Sequence, residues 1–191
     1  MQQRFLRNLP AYLSVASDAL QEQGGIRLSC PMVQEKKLKR RSSSISGGSI
    51  RIEEFITRRS DETVRLGRAL ARMLSPDMFA LVLFRGPFGS GKTTMINGIV
   101  NELTGESAIS PSFVLVHEYR GKFPVYHCDF YRLKSAEELK TFGFSEYLES
   151  GVVLVEWPEN VLNPVDRRFI EVQIEYLTFQ TRRVRLIFHL P

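Results

Sequence analysis

The chain has 191 residues, 43% hydrophobic and 25% charged, the balance of a soluble globular domain with room for an extension. Its apolar runs are strand-sized, far below the roughly 20 residues that cross a bilayer, and its two cysteines and three scattered histidines offer no paired spacing for structural zinc, so a reducing, cytoplasmic setting without membrane or zinc is expected. The net charge of +5 does not mark a nucleic-acid-binding core: 11 Lys and Arg against 5 Asp and Glu fall in residues 1–59, and 15 against 16 in residues 60–191.

Residues 1–48 form the first expected unit, a basic extension without sustained periodicity. Lys36, Lys37, Lys39, Arg40 and Arg41, then Ser42, Ser43 and Ser44, then Gly47 and Gly48, give it the composition of a disordered linker. Residues 5–20 have the pattern of a short amphipathic helix but lack the apolar segment of a secretory signal, and Asp18, Glu22 and Glu35 count against a transit peptide. An unstructured tail, or a start codon assigned upstream of the true one, is the plainer reading.

Residues 49–191 are the expected folded domain. Ile50, Ile52 and Phe55 predict a first strand. Ser60 is placed to cap a helix whose first turn carries Asp61 and Glu62, whose apolar face includes Val64, Leu66, Leu70, Met73 and Leu74, and which Pro76 stops. Residues 80–84 (ALVLF) predict a strand buried on both faces, followed by a glycine-rich turn and a helix over 92–103. Strands follow at 114–119 and 123–128, the second ending at Asp129. Ser135 caps a helix through Leu139, another helical turn spans 144–148, and the apolar run 152–155 ends at Glu156. Residues 169–190 alternate as two strands around 178–181. Strands alternating with helices predict an α/β domain in three layers, with a mostly parallel central sheet and antiparallel edge strands.

Gly86-Pro87-Phe88-Gly89-Ser90-Gly91-Lys92-Thr93 satisfies the P-loop pattern G-x-x-x-x-G-K-[ST] in full. The glycines let successive backbone N–H groups turn toward phosphate oxygens, and the helix that follows adds its positive end. Lys92 is placed for the β- and γ-phosphates and the Thr93 hydroxyl for magnesium. Gly86, Gly89, Ser90, Gly91 and Thr94 complete the expected nucleotide contacts. ATP and Mg2+ are the expected cofactors, although the motif alone leaves the reaction open.

Asp129 and Glu156 each follow an apolar run. Ligands of open α/β sheets gather at the carboxyl ends of parallel strands, so both acids face the phosphates if their strands run parallel to the one before the loop. Glu156 is the candidate for metal or its water, and Asp129 the second candidate. An acid after a strand also serves as an ordinary helix cap or solvated end. Trp157 fits packing and nucleotide or partner contact equally. The hydroxyls of Ser110 and Ser112, between helix and strand, are placed to sense a γ-phosphate. His117, His127 and His189 read as packed residues without a catalytic role.

Taken together, the 86–93 loop, Ser110-Pro111-Ser112-Phe113, His127-Cys128-Asp129-Phe130-Tyr131-Arg132-Leu133, Glu138-Leu139, Gly143-Phe144, Tyr147-Leu148 and Glu156-Trp157-Pro158-Glu159 resemble the TsaE family in order and spacing. These are the P-loop ATPases of bacterial tRNA threonylcarbamoyladenosine (t6A) synthesis. The resemblance covers about residues 50–191, including the helix from Ser60 to Leu70. It implies weak magnesium-dependent ATP hydrolysis that rises with two partners, TsaB and TsaD, which modify adenosine 37 of tRNA and are reset by ATP turnover. It implies that Lys92 contacts phosphate, that Thr93 and Glu156 serve magnesium, and that Asp129 helps catalysis. It also implies a switch-like segment at 110–113, Trp157 near nucleotide or partner, and tRNA contact mainly through the complex. Two departures are visible: Ser112 stands where the family usually has threonine, and Pro87-Phe88 replaces a polar residue and leucine.

Two other functions fit a P-loop. A small-molecule kinase needs an arginine-rich lid, and Arg182, Arg183 and Arg185 fall in a terminal hairpin poorly placed for one. A non-catalytic nucleotide-dependent adaptor would tolerate loss of Glu156.

Overall fold

The runs that are apolar at every position become the middle of one sheet. A computed structural model describes residues 49–111, 114–162 and 167–190; the expectations for residues 1–48 and for Ser112 and Phe113 lie outside them. Strands β2 (Leu81–Arg85), β4 (Val125–Asp129), β5 (Val152–Glu156) and β6 (Phe169–Tyr176) lie side by side and parallel. Leu81 to Phe84 and Val152 to Val155 are wholly screened from solvent, as strands covered on both faces must be. Three antiparallel strands complete the sheet. β7 (Arg182–Leu190) pairs with β6, β1 (Ser49–Thr57) with β7, and β3 (Val116–Tyr119) with β4, giving the order β1-β7-β6-β2-β5-β4-β3.

Helices lie on both faces. Leu81, Leu83, Val153, Val155, Tyr126 and Cys128 share one core cluster with Phe130, Leu139 and Phe144, which brings α3 (Ala136–Thr141) and α4 (Phe144–Ser150) to that face. Alternation turns Val82, Phe84 and Leu154 the other way, toward the face where α2 (Lys92–Thr104) touches β4 and β5. α1 (Ser60–Ala71) packs against α2 through two glycines. A Cβ on Gly67 would strike the Met95 carbonyl oxygen, and one on Gly98 the Val64 carbonyl oxygen. Only hydrogen side chains allow backbones this close.

Local chemistry shifts some boundaries. Ser60 is the first residue of α1 and not its cap; Arg59 holds the cap position without a side-chain capping bond. The Glu62 carboxylate reaches back to accept the Arg58 N–H at 2.8 Å, while Asp61 engages Arg59 and Arg65. α1 ends at Ala71, ahead of Pro76, because the chain turns there with Met73 and Leu74 still buried. β3 starts at Val116, later than expected. Val114 and Leu115 are spent in a turn onto the Pro111 carbonyl, with Leu115 in the left-handed region at φ 68°. At α3 the expected cap Ser135 is part of a capping box, the Glu138 carboxylate accepting the Ser135 N–H.

Candidate nucleotide site

Residues 86–93 join the carboxyl end of β2 to the first turn of α2. Gly86, Gly89 and Gly91 take φ values of 142°, 69° and 110°, which side chains resist. The loop is pressed against the end of β6: a Cβ on Gly86 would meet the Ile174 carbonyl, and one on Gly89 the Tyr176 hydroxyl at 2.8 Å. Ser90 is buried inside the loop, its N–H bonded to the Pro87 carbonyl and its hydroxyl without a hydrogen-bond partner. Thr94 follows in the first turn of α2.

Lys92 is 4% exposed and folds back over its own loop. Its ammonium donates to the carbonyls of Gly86 (3.0 Å) and Pro87 (3.2 Å). The same ammonium lies 3.9 Å from the Trp157 ring centroid, a cation–π contact. Phe88, Tyr131 and Trp157 form one aromatic group around it, with centroids 4.6 Å (Phe88–Trp157), 4.8 Å (Phe88–Tyr131) and 5.3 Å (Tyr131–Trp157) apart. Burial lowers the pKa of Lys92, against the pull of Glu156, Glu159 and Asp129. Trp157 sits at φ 58° between β5 and the 3-10 turn Pro158–Asn160. Arg85 pairs with Glu159 at 3.1 Å and fastens that turn to the strand before the loop.

Glu156, at the end of β5, is 4% exposed. Its Oε1 accepts the Thr93 hydroxyl at 2.7 Å and lies 3.0 Å from His127 Nε2. A carboxylate only accepts, so this contact is a hydrogen bond when the His127 proton is on Nε2. His127 is completely buried, and its Nδ1 has no hydrogen-bond partner. Asp129 stands opposite Glu156 in the parallel β4–β5 register. With β5 parallel to β2, both acids reach the edge of the sheet that carries the loop. The Asp129 Oδ1 accepts the Tyr131 N–H at 3.0 Å, so it also caps the turn after β4.

The fold thus brings Gly86, Gly89, Ser90, Gly91, Lys92, Thr93 and Thr94 together in one loop and the helical turn that follows it, with Glu156, Trp157 and Asp129 beside them. Ser112 lies outside the described residues. Two residues escaped the sequence reading. His127, taken there as packing, touches Glu156; its signal was its position two before Asp129 on the same strand, hence on the same face. Arg182, weighed only as a poor lid, donates from Nε to the Ser90 carbonyl at 3.0 Å. Its neighbours Arg183 and Arg185 pair instead with Glu54 and Glu175.

Among the described residues no three His, Cys, Asp or Glu side chains gather as a metal site. The Thr93 hydroxyl and Glu156 carboxylate are hard oxygens, a donor set that fits magnesium when substrate phosphates and water supply the remaining ligands. Among the described residues no helix is long and apolar enough to cross a membrane.

Comparison with known proteins places this arrangement. A family model described as "Threonylcarbamoyl adenosine biosynthesis protein TsaE" matches residues 57–184. Proteins named tRNA threonylcarbamoyladenosine biosynthesis protein TsaE are similar to the chain. The one from Rickettsia felis is 37% identical over 136 residues, covering 70% of this chain and 78% of that protein. The one from Synechocystis is 36% identical over 115 residues, covering 56% and 71%. Among solved structures, YdiB from Bacillus subtilis superimposes with a TM-score of 0.57 at 25% identity, over 74% of this chain and 87% of that one.

Proposed function

The chain belongs to the TsaE family, and from that premise we propose that it binds ATP with magnesium on the 86–93 loop and hydrolyses it slowly. The observation that carries this reading is Glu156 Oε1, which the Thr93 hydroxyl and His127 Nε2 hold from two sides, 2.7 and 3.0 Å away. A loop that only turned a strand into a helix has no use for a buried acid fixed on its threonine.

Each residue has a role that follows from its contacts. Lys92 exchanges the carbonyls of Gly86 and Pro87 for β- and γ-phosphate oxygens, which compensates an ammonium that burial disfavours. Thr93 and Glu156 hold the metal, and magnesium when bound offsets phosphate charge as bond breaking proceeds. Asp129, beside Glu156 at the strand ends, orients the water that attacks the γ-phosphorus as ADP departs. His127 fixes the Glu156 carboxylate and is a positioning residue. Ser112, which precedes β3 in the sequence, senses the γ-phosphate.

The relatives' name places those proteins in tRNA threonylcarbamoyladenosine synthesis, and we extend that to this chain. It acts as an accessory ATPase to TsaB and TsaD, resets that pair between cycles, and meets tRNA mainly through them in the cytoplasm. Arg182 is tied to the hairpin and to Ser90, and Arg183 and Arg185 to Glu54 and Glu175, so a kinase lid finds no support here.

Calorimetric titration with MgATP tests the site. Lys92→Ala should weaken binding at least about tenfold, the order expected for a lost charge-assisted contact. Glu156→Gln, which removes a carboxylate charge from the metal site, should raise the magnesium concentration needed for binding by at least about tenfold. Unchanged binding in both variants would refute the reading.

A further inference from the structure

The phosphate loop contains carbonyls as well as amides, and the direction of each carbonyl sets that of the amide beside it. We propose that Arg182 and Tyr176 are positioning residues of the 86–93 loop. From the β6–β7 hairpin they hold two of its peptide planes so that the N–H groups of Gly89 and Gly91 face phosphate. The inference rests on the phosphate reading above and adds two residues that lie outside the sequence motif.

The carbonyls of the loop find donors in two places. Those of Gly86 and Pro87 accept the Lys92 ammonium, and that of Gly91 accepts the Met95 N–H in the first turn of α2. These donors belong to the motif and its helix. The Phe88 and Ser90 carbonyls accept instead from the hairpin: the Tyr176 hydroxyl donates to Phe88 at 2.8 Å, and Arg182 Nε to Ser90 at 3.0 Å. Tyr176 ends β6, Arg182 begins β7, and the two stand opposite each other in the antiparallel register.

Peptide geometry turns these two bonds into control of the amides. No peptide bond among the described residues is cis, and across a planar trans peptide the N–H points opposite to the carbonyl. Holding the Phe88 and Ser90 oxygens toward the hairpin therefore turns the N–H groups of Gly89 and Gly91 away from it. A phosphate loop works by aiming successive N–H groups at one anion. Both peptides would otherwise turn over easily. A peptide plane flips by changing ψ before it and φ after it, and the residue after it is glycine each time, at φ 69° for Gly89 and 110° for Gly91. Glycine accepts either sign of φ at little cost, so the restraint has to come from outside the loop. The positive charge of Arg182 strengthens its bond and polarises the Ser90–Gly91 peptide, which makes the Gly91 N–H a better donor.

A brace must itself be fixed, and Arg182 is. Its Nη1 donates to the carbonyls of Phe179 (3.0 Å), Thr178 (3.3 Å) and Thr181 (3.3 Å), and its guanidinium lies 4.3 Å from the Tyr176 ring centroid. The N–H groups of Leu177 and Thr178 both donate to the Thr181 carbonyl and close the turn. One planar fork thus bonds loop and hairpin at once, which a lysine on its flexible stem does not reproduce. Groups whose supports are locked in this way keep a site in its working geometry.

The test uses the full chain and calorimetric titration with MgATP and with magnesium tripolyphosphate, which has no base or ribose. Tyr176→Phe removes one hydroxyl and keeps the ring, and should weaken both ligands by the same factor, about 3–10-fold. Arg182→Met removes the charged donor and should weaken both by about tenfold or more. A melting curve establishes that each variant is folded. Nuclear magnetic resonance of the protein without ligand reads the peptides themselves. The Gly89 amide resonance should move in Tyr176→Phe and the Gly91 resonance in Arg182→Met, while that of Gly105, at the far end of α2, stays in place. Unmoved Gly89 and Gly91 resonances, or unchanged tripolyphosphate affinity in either variant, would overturn the brace; a residue that serves only base or ribose leaves tripolyphosphate alone. Wild type that binds MgATP but not tripolyphosphate would place the affinity at base and ribose and overturn the brace as well. Failure of wild type to bind MgATP would instead overturn the phosphate reading, and this inference with it.

Discussion

Glu156 shows how little a buried acid is free to do. One of its oxygens is shared between the Thr93 hydroxyl and His127 Nε2, so its orientation depends on a histidine that contacts no ligand. Outer partners of metal-binding groups typically matter by about 10–100-fold in affinity or activity. His127→Phe should therefore lower magnesium-dependent ATP turnover by about that factor and raise the magnesium concentration needed for half-maximal rate. Turnover measured against magnesium, with a melting curve to establish folding, checks it; an unchanged magnesium requirement would mean that His127 only packs. The places of Lys92 and Thr93 in the loop were legible in the sequence because they follow from a local spacing. His127 was not, because a packed histidine and a positioning histidine look alike until the partner, 29 residues away, is brought beside it.

The elements that carry these residues stand on close packing. α2 begins at Lys92 and lies on α1 with Gly67 and Gly98 at the contact. Gly98→Ala would push a methyl into the Val64 carbonyl, and overpacking of this kind typically costs about 1–3 kcal/mol. For a chain of this size that lowers the melting temperature by about 2–4 °C per kcal/mol. The shift of α2 should carry the loop with it and weaken MgATP binding as well. Thermal melting and titration of the same variant check both effects, and wild-type values for both would contradict the packing account. The buried strands were legible because unbroken apolar runs have few other uses. Their edges were not: Val114 and Leu115 have strand composition, yet the turn onto Pro111 takes them. Ser60 has cap chemistry, yet Arg59 occupies the cap and Glu62 supplies the bond back to Arg58.

At the scale of the molecule, strand order assembles the site. Parallel β4, β5, β2 and β6 bring Asp129, Glu156, the phosphate loop and Tyr176 to one edge of the sheet. Local periodicity identifies strands but not their neighbours, so the contact of Arg182 with Ser90, 92 residues apart in sequence, had no local signal. A nucleotide held where we propose, at the ends of these strands, would stabilise the fold. MgATP at 100 times its dissociation constant should add about 2.7 kcal/mol, a rise in melting temperature of several degrees. Lys92→Ala should show little or none of that rise. Equal rises in wild type and variant would place ATP elsewhere on the protein.

ATP turnover by the purified chain, alone and with TsaB and TsaD, and with Lys92→Ala as the control, tests the proposed function most directly. Slow hydrolysis by the chain, faster hydrolysis with the partners, and none in the variant are the predicted results. Turnover indifferent to the partners, or undiminished in Lys92→Ala, would contradict the account of this chain as an accessory ATPase of tRNA modification.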